Sequence, residues 1–195
     1  MNNPRIAPGV KGLIFDLDGT LVDTMPVHFT AWKEAFAGTG FDFTEKLFYE
    51  LAGIPTKEIV RIINKRYGHN LDPQKIEDEK EAAYIRNISS VKPVEPVMNL
   101  VKENHGKYKM SIGTGAVKFV AMKAIELSGL DRYIDIIVTA DDVARHKPYP
   151  DTFLKCAELM GVAPEECQVY EDGDPGLEAA RTAGMIATDI RKWSD

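Results

Sequence analysis

Val10-Lys11-Gly12-Leu13-Ile14-Phe15 runs directly into Asp16-Leu17-Asp18-Gly19-Thr20-Leu21. The first six residues are short, mostly apolar and stop at an acidic turn, the pattern of a strand buried on both faces. In open α/β sheets, ligands bind outside the C-terminal ends of the strands, where this turn would lie. Asp16 and Asp18, two residues apart and followed by Gly19, can project into one small volume. Like charges that close are costly unless a cation sits between them or one carries a proton. A plain Asx turn with a capping aspartate is the purely structural alternative. An EF-hand loop fits poorly, because Leu21 stands where that loop requires glycine.

Working outward, the chain alternates short apolar runs with longer periodic stretches. Residues 26–37 predict a helix, with Pro26 near its start and Val27, Ala31, Trp32, Ala35 and Phe36 at helical spacing. Further helices are predicted over 44–51, 55–67 and 72–88, the last capped by Asp72, and no strand is predicted between 26 and 88. Beyond Pro93 and Pro96 the character changes. Helices over 97–104, 118–128, 150–160 and 175–183 alternate with strands over 109–113, within 133–139, over 167–170 and over 186–190. Such alternation predicts an α/β fold: a Rossmann-like parallel sheet with helices on both faces and right-handed crossovers. The organisation expected is a core of residues 1–24 and 93–195, interrupted by an all-helical insert, 25–92.

The 195 residues allow one domain carrying a small insert, and 44% hydrophobic with 28% charged residues is ordinary globular composition. Twenty-four Lys and Arg against 30 Asp and Glu leave a net charge of -6, which argues against nucleic acid as a partner. A locally positive site for an anionic substrate stays compatible with it. Cys156 and Cys167 are too few for a disulfide framework and form no C-x-x-C pair, so reduced thiols and a cytoplasmic setting are expected. Residues 1–10 lack the apolar stretch of a signal peptide, and no run approaches the ~20 apolar residues of a membrane span. No G-x-x-x-x-G-K-[ST] or H-E-x-x-H pattern is present, which sets aside P-loop and zincin chemistry.

The stretch from Val10 to Thr24, V-K-G-L-I-F-D-L-D-G-T-L-V-D-T, resembles the first motif of the haloacid dehalogenase superfamily of phosphohydrolases. Three more motifs follow in order. Ser111-Ile112-Gly113-Thr114-Gly115 resembles the second, and His146-Lys147-Pro148-Tyr149-Pro150-Asp151 the third, K-P-x-P-D. Val169-Tyr170-Glu171-Asp172 with Gly176 to Gly184 resembles the fourth. The resemblance implies Asp16 as nucleophile and Asp18 as general acid and base, with Thr114, Gly115 and Lys147 holding the transferring phosphate. It implies Mg²⁺ held by Asp16, Asp172, the backbone carbonyl of Asp18, and Glu171 directly or through water. Asp174 is expected to cap the helix that follows, the alternative being a place behind the metal ligands.

The insert resembles the helical cap of the β-phosphoglucomutase-like subgroup. Asp23-Thr24, His28 and Trp32-Lys33 match its D-T-x-x-x-H-x-x-A-W-K stretch, Gly53 falls in a substrate-lining loop, and Lys80 aligns with a cap lysine. The resemblance implies substrate contacts from His28, Trp32, Gly53, Thr56 and Lys80; the structural alternatives are a satisfied histidine at the cap edge for His28 and a core position for Trp32. One departure is informative: Gly53-Ile54-Pro55-Thr56 carries Thr56 where the mutases carry a phosphate-gripping arginine. That change, with Pro93-Val94-Glu95-Pro96, looks closer to bacterial fructose-1-phosphate phosphatase-type proteins. The expectation is a Mg²⁺-dependent phosphatase of a small sugar or polyol phosphate, with a phosphosugar mutase as the alternative; the sequence does not specify the oligomeric state, a monomer being favoured. A dehalogenase would need neither Asp18 nor the metal carboxylates, and a non-catalytic binding protein would not keep all four motifs.

Overall fold

A computed structural model of the chain describes residues 4–51 and 54–193. Its contacts divide the chain into two compact units, Met1–Asp23 with Val91–Asp195, and Thr24–Ser90.

The first unit is built on a five-stranded parallel sheet. In chain order its strands are β1 (Gly12–Phe15), then β4 (Lys109–Gly113), β5 (Ile136–Val138), β6 (Cys167–Glu171) and β7 (Ile186–Asp189), after the short β2 (Val22–Asp23) and β3 (Lys92–Pro93). The spatial order is β5-β4-β1-β6-β7. β1 is therefore central, pairing Phe15 with Ile112 on one side and with Tyr170 on the other. Leu13, Ile14 and Phe15 are all fully buried, so both faces of β1 are covered. Burying each such side chain is worth about 1.5–3 kcal/mol, which anchors the acidic turn that follows. The chain runs from β1 toward β4 and β5, then returns to β6 and β7 on the other side of β1. That reversal is the switch point where a crevice opens at the strand ends.

Helices α5 (Glu95–Asn104), α6 (Lys118–Ser128), α7 (Asp151–Met160) and α8 (Asp174–Thr182) complete this unit. α7 packs on β1, β4 and β5, and α8 on β6 and β7. Phe153, Cys156 and Ala157 of α7 and Ala179 and Ala180 of α8 meet Ile14 and Val169 in one apolar layer.

Among its described residues the second unit contains helices and turns but no strand: α1 (Met25–Ala35), α2 (Glu45–Glu50), α3 (Thr56–Tyr67) and α4 (Pro73–Asn87). α1 and α3 both pack on α4. Asp72 caps α4 as its sequence position predicts, accepting from the backbone N–H groups of Gln74 and Lys75. Stacked rings form the centre of the unit, with Trp32 and Phe43 centroids 4.9 Å apart and Phe36 and Phe43 5.2 Å apart.

Three local differences from the sequence expectation have simple causes. β1 starts at Gly12 rather than Val10, because Val10 N–H is turned back onto the Ala7 carbonyl. The antiparallel pair of β2 and β3 was not expected, since two-residue strands are too short to show a period of two. α1 stops at Ala35, two residues early, ahead of Gly38 and Gly40. Among the described residues no helix is long and apolar enough to cross a membrane.

Candidate active site

The site lies at the C-terminal ends of β1, β4 and β6. Asp16 follows β1 directly, and its backbone N–H extends the ladder by donating to the Tyr170 carbonyl at 3.0 Å. The next residues fold into a tight turn in which Leu21 and Val22 both donate to the carbonyl of buried Leu17. Gly19 holds φ +88, and a Cβ there would fall 2.3 Å from the Asp172 Oδ2. Glycine is thus required twice over, for the backbone conformation and for the carboxylate beside it.

Glu171 ends β6 and Asp172 follows it. One carboxylate oxygen from each of Asp16, Glu171 and Asp172 lies within 4.8 Å of the other two. Lys147 reaches in from the loop before α7, and its Nζ donates to Asp16 Oδ1 at 2.6 Å and to Glu171 Oε2 at 2.7 Å. The same ammonium stands 4.7 Å from the ring centroid of fully buried Phe153, a favourable cation–π placement. Glu171 Oε1 accepts from the Gly173 N–H at 2.9 Å. A Cβ on Gly176 would lie 2.0 Å from Glu171 Oε2, so only glycine lets the first turn of α8 lie against this carboxylate.

Thr114 follows β4 and is anchored by its N–H to the Val138 carbonyl at 2.9 Å. Its Oγ1 accepts from the Ala116 N–H at 3.0 Å and stands 3.5 Å from Asp18 Oδ2. With a lone pair engaged by Ala116, the hydroxyl can direct its proton toward an anion. Gly115 beside it is exposed, with open space around its Cα.

The electrostatics follow from burial and crowding. Burial first, then the neighbouring Glu171, raises the Asp16 carboxyl well above its ordinary value, against the opposing pull of Lys147. Burial and Glu171 push Asp172 up to about 6. Burial alone would lower the Lys147 ammonium, but Asp16 and Glu171 outweigh it and hold it above its usual value. One ammonium therefore faces three carboxylates. An all-oxygen donor set with surplus negative charge fits a hard divalent cation such as Mg²⁺. The two thiols offer no competing chemistry: burial raises Cys156 to about 12 and Cys167 to about 11.

A pH dependence follows. A carboxyl whose value is raised by folding adds stability while protonated, and that stability is lost as pH climbs from its ordinary 3.8 through about 6. In EDTA, Asp172→Asn should leave the melting temperature nearly unchanged around pH 4 and raise it above about pH 6. The gain at neutral pH should be on the order of 3 kcal/mol. A melting difference that does not widen with pH counts against this electrostatic picture.

Of the residues singled out from sequence, Asp16, Asp18, Thr114, Lys147, Glu171 and Asp172 are gathered at this strand end. Those in the helical unit are described within it. His28 of α1 stacks on Tyr84 of α4 at 4.3 Å between centroids, and Lys80 Nζ lies 5.6 Å from the same ring. Thr56 opens α3 and is half-buried. Gly53 lies outside the described residues. Trp32 is 4% exposed and stacked on Phe36 and Phe43, the core placement that its helical spacing favours. Asp174 is corrected. Gly173 takes the N-cap position, which puts Asp174 one residue inside the helix, where its carboxylate accepts from Arg191 at 2.8 Å. Sequence reasoning gave no role to Thr20, Phe153 or Tyr84. Thr20 adjoins Asp18 and Gly19, and Phe153 follows the K-P-x-P-D stretch, so proximity to a motif was the available signal.

Comparison with known proteins identifies the family. Residues 13–189 match the family model described as haloacid dehalogenase-like hydrolase. A fructose-1-phosphate phosphatase of Escherichia coli is 44% identical, covering 92% of this chain and 96% of its own. A β-phosphoglucomutase of Bacillus subtilis is 29% identical, over 93% of this chain and 83% of its own. Among solved structures, a hydrolase of the same superfamily from Entamoeba histolytica superposes with a TM-score of 0.82 at 26% identity, covering 95% of this chain and 86% of that one.

Proposed function

We propose that this chain, which belongs to the haloacid dehalogenase-like hydrolase family, is a Mg²⁺-dependent phosphatase that hydrolyses a small sugar or polyol phosphate through an aspartyl phosphate. The observation that carries the reading is the pairing of buried Asp16 with Lys147, beside Glu171 and Asp172. A nucleophilic carboxylate, a fixed cation and a set of metal-fit oxygens are what in-line phosphoryl transfer needs.

In this mechanism the Asp16 carboxylate attacks phosphorus and the bond to the sugar oxygen breaks. Asp18 gives its proton to the departing alkoxide, which leaves as the alcohol. Asp18, now a carboxylate, takes a proton from water as that water attacks the aspartyl phosphate. The P–O bond to Asp16 breaks, restoring its carboxylate and releasing phosphate. Lys147 and the Thr114 hydroxyl stabilise the phosphoryl oxygens as charge shifts onto them. Mg²⁺ held by Asp16, Asp172, the Asp18 carbonyl and Glu171 would neutralise phosphate charge, the chemistry such an ion supplies.

The choice of leaving group is assigned to the helical unit, with His28, Thr56 and Lys80 as its candidate substrate contacts. A threonine hydroxyl lacks the charge and the bidentate fork that an arginine offers a second phosphate. Net hydrolysis should therefore prevail over transfer between sugar carbons. With Mg²⁺, fructose 1-phosphate and related monoesters should release free phosphate. β-Glucose 1-phosphate with a bisphosphate primer should yield little glucose 6-phosphate. Glucose 6-phosphate appearing much faster than free phosphate would overturn the phosphatase reading in favour of a mutase.

A further inference from the structure

Thr20 takes no part in the mechanism above, yet it is fully buried at the edge of the site. Its backbone is held by the turn after β1, with its N–H directed to the Leu17 carbonyl at 3.3 Å. From that fixed base its Oγ1 donates to Asp172 Oδ1 at 2.8 Å, joining residues 152 positions apart in sequence. The other oxygen of the same carboxylate lies against Gly19, where a Cβ would approach to 2.3 Å. Asp172 is thus gripped by a donor on one oxygen and by backbone packing on the other. Both contacts come from the turn that carries Asp16 and Asp18.

We propose that Thr20 is a positioning residue for the cation site. Its hydroxyl sets the rotation of the Asp172 carboxylate, so that an ion shared with Asp16 and Glu171 meets it in one orientation. The inference rests on the Mg²⁺ reading of those three carboxylates. A ligand oxygen already turned toward the ion loses less freedom on binding, and partners that orient metal ligands are commonly worth about 10- to 100-fold in affinity. The Thr20 side chain is fully buried, so valine, with the same branched shape, removes the donor with little change of volume by putting a methyl in place of the hydroxyl. Serine keeps the donor and gives up the methyl.

The test is calorimetric titration of Mg²⁺ into the substrate-free full-length protein, comparing wild type, Thr20→Val and Thr20→Ser. Melting temperatures in EDTA are recorded alongside as a check on folding. Thr20→Val should bind Mg²⁺ about 10- to 100-fold more weakly, while Thr20→Ser stays within about threefold of wild type. At saturating Mg²⁺ the turnover of Thr20→Val should fall by less than its affinity. Should the valine variant not fold, Thr20→Ala removes the same donor without any risk of overpacking. Wild-type affinity in the donor-less variant, or equal weakening in the serine variant, overturns the proposal and leaves Thr20 as a structural tie. Failure of the wild-type protein to bind Mg²⁺ overturns the metal reading itself. Binding by wild type with no effect of Thr20→Val overturns only the positioning role.

Discussion

Asp16→Asn should lower phosphate release by about 10⁴-fold or more while leaving the protein folded. An amide oxygen is too weak a nucleophile to form the acyl phosphate, so the first chemical step has no substitute. The fold should tolerate the change because the amide oxygen can still accept from Lys147, which now reaches Asp16 at 2.6 Å. The substitution also removes one of three crowded carboxylates, in a site where burial first and the neighbouring Glu171 next raise Asp16 above its ordinary value. Without metal, the variant should therefore melt at or above the wild-type temperature near neutral pH. Phosphate release from a sugar phosphate and melting in EDTA separate the two effects. Substantial residual turnover would remove Asp16 from the nucleophile's role. Lost activity accompanied by a collapsed melting temperature would mean that the residue acts through folding.

Much of the site could be read in the sequence because its parts are local. Asp16-Leu17-Asp18-Gly19 announces itself by two carboxylates after an apolar run, and Glu171-Asp172 by a carboxylate pair ending another. What the sequence could not supply is how distant parts meet. Lys147 reaches Asp16 across 131 positions, and Thr20 reaches Asp172 across 152. Those contacts exist because the sheet order sets β1 between β4 and β6, and pairing order is not written in any one strand's periodicity. Trp32 shows two sequence signals in competition. Its motif match suggested a ligand contact, but its place on the apolar stripe of α1 with Val27, Ala31 and Ala35 already favoured the core. Asp174 was misread by one position: with Pro175 at the second helical residue, Gly173 becomes the cap.

Lys147→Ala is expected to damage both stability and turnover, for one electrostatic reason. The lysine is the cation that bridges Asp16 and Glu171, at 2.6 and 2.7 Å, with all three side chains nearly buried. Removing one partner of a buried ion pair leaves unmatched charge and typically costs about 3–5 kcal/mol, far more than an exposed pair is worth. The loss should depend on pH in a defined direction. Carboxyls raised by burial and by one another are stable in the fold when protonated, so the variant in EDTA should lie closest to wild type near pH 4. The gap should open as pH rises through about 6, where Asp172 ionises beside the unmatched charge. Mg²⁺ should recover part of the melting temperature, since it supplies positive charge to the same oxygens. It should not restore turnover, because the proposed donor to the transferring phosphoryl group is gone, a loss of about 10²- to 10³-fold for one such contact. Melting curves across this pH range with and without Mg²⁺, paired with turnover at saturating Mg²⁺, test the argument. A destabilisation independent of pH would show that Lys147 matters through packing on Phe153 rather than through its charge.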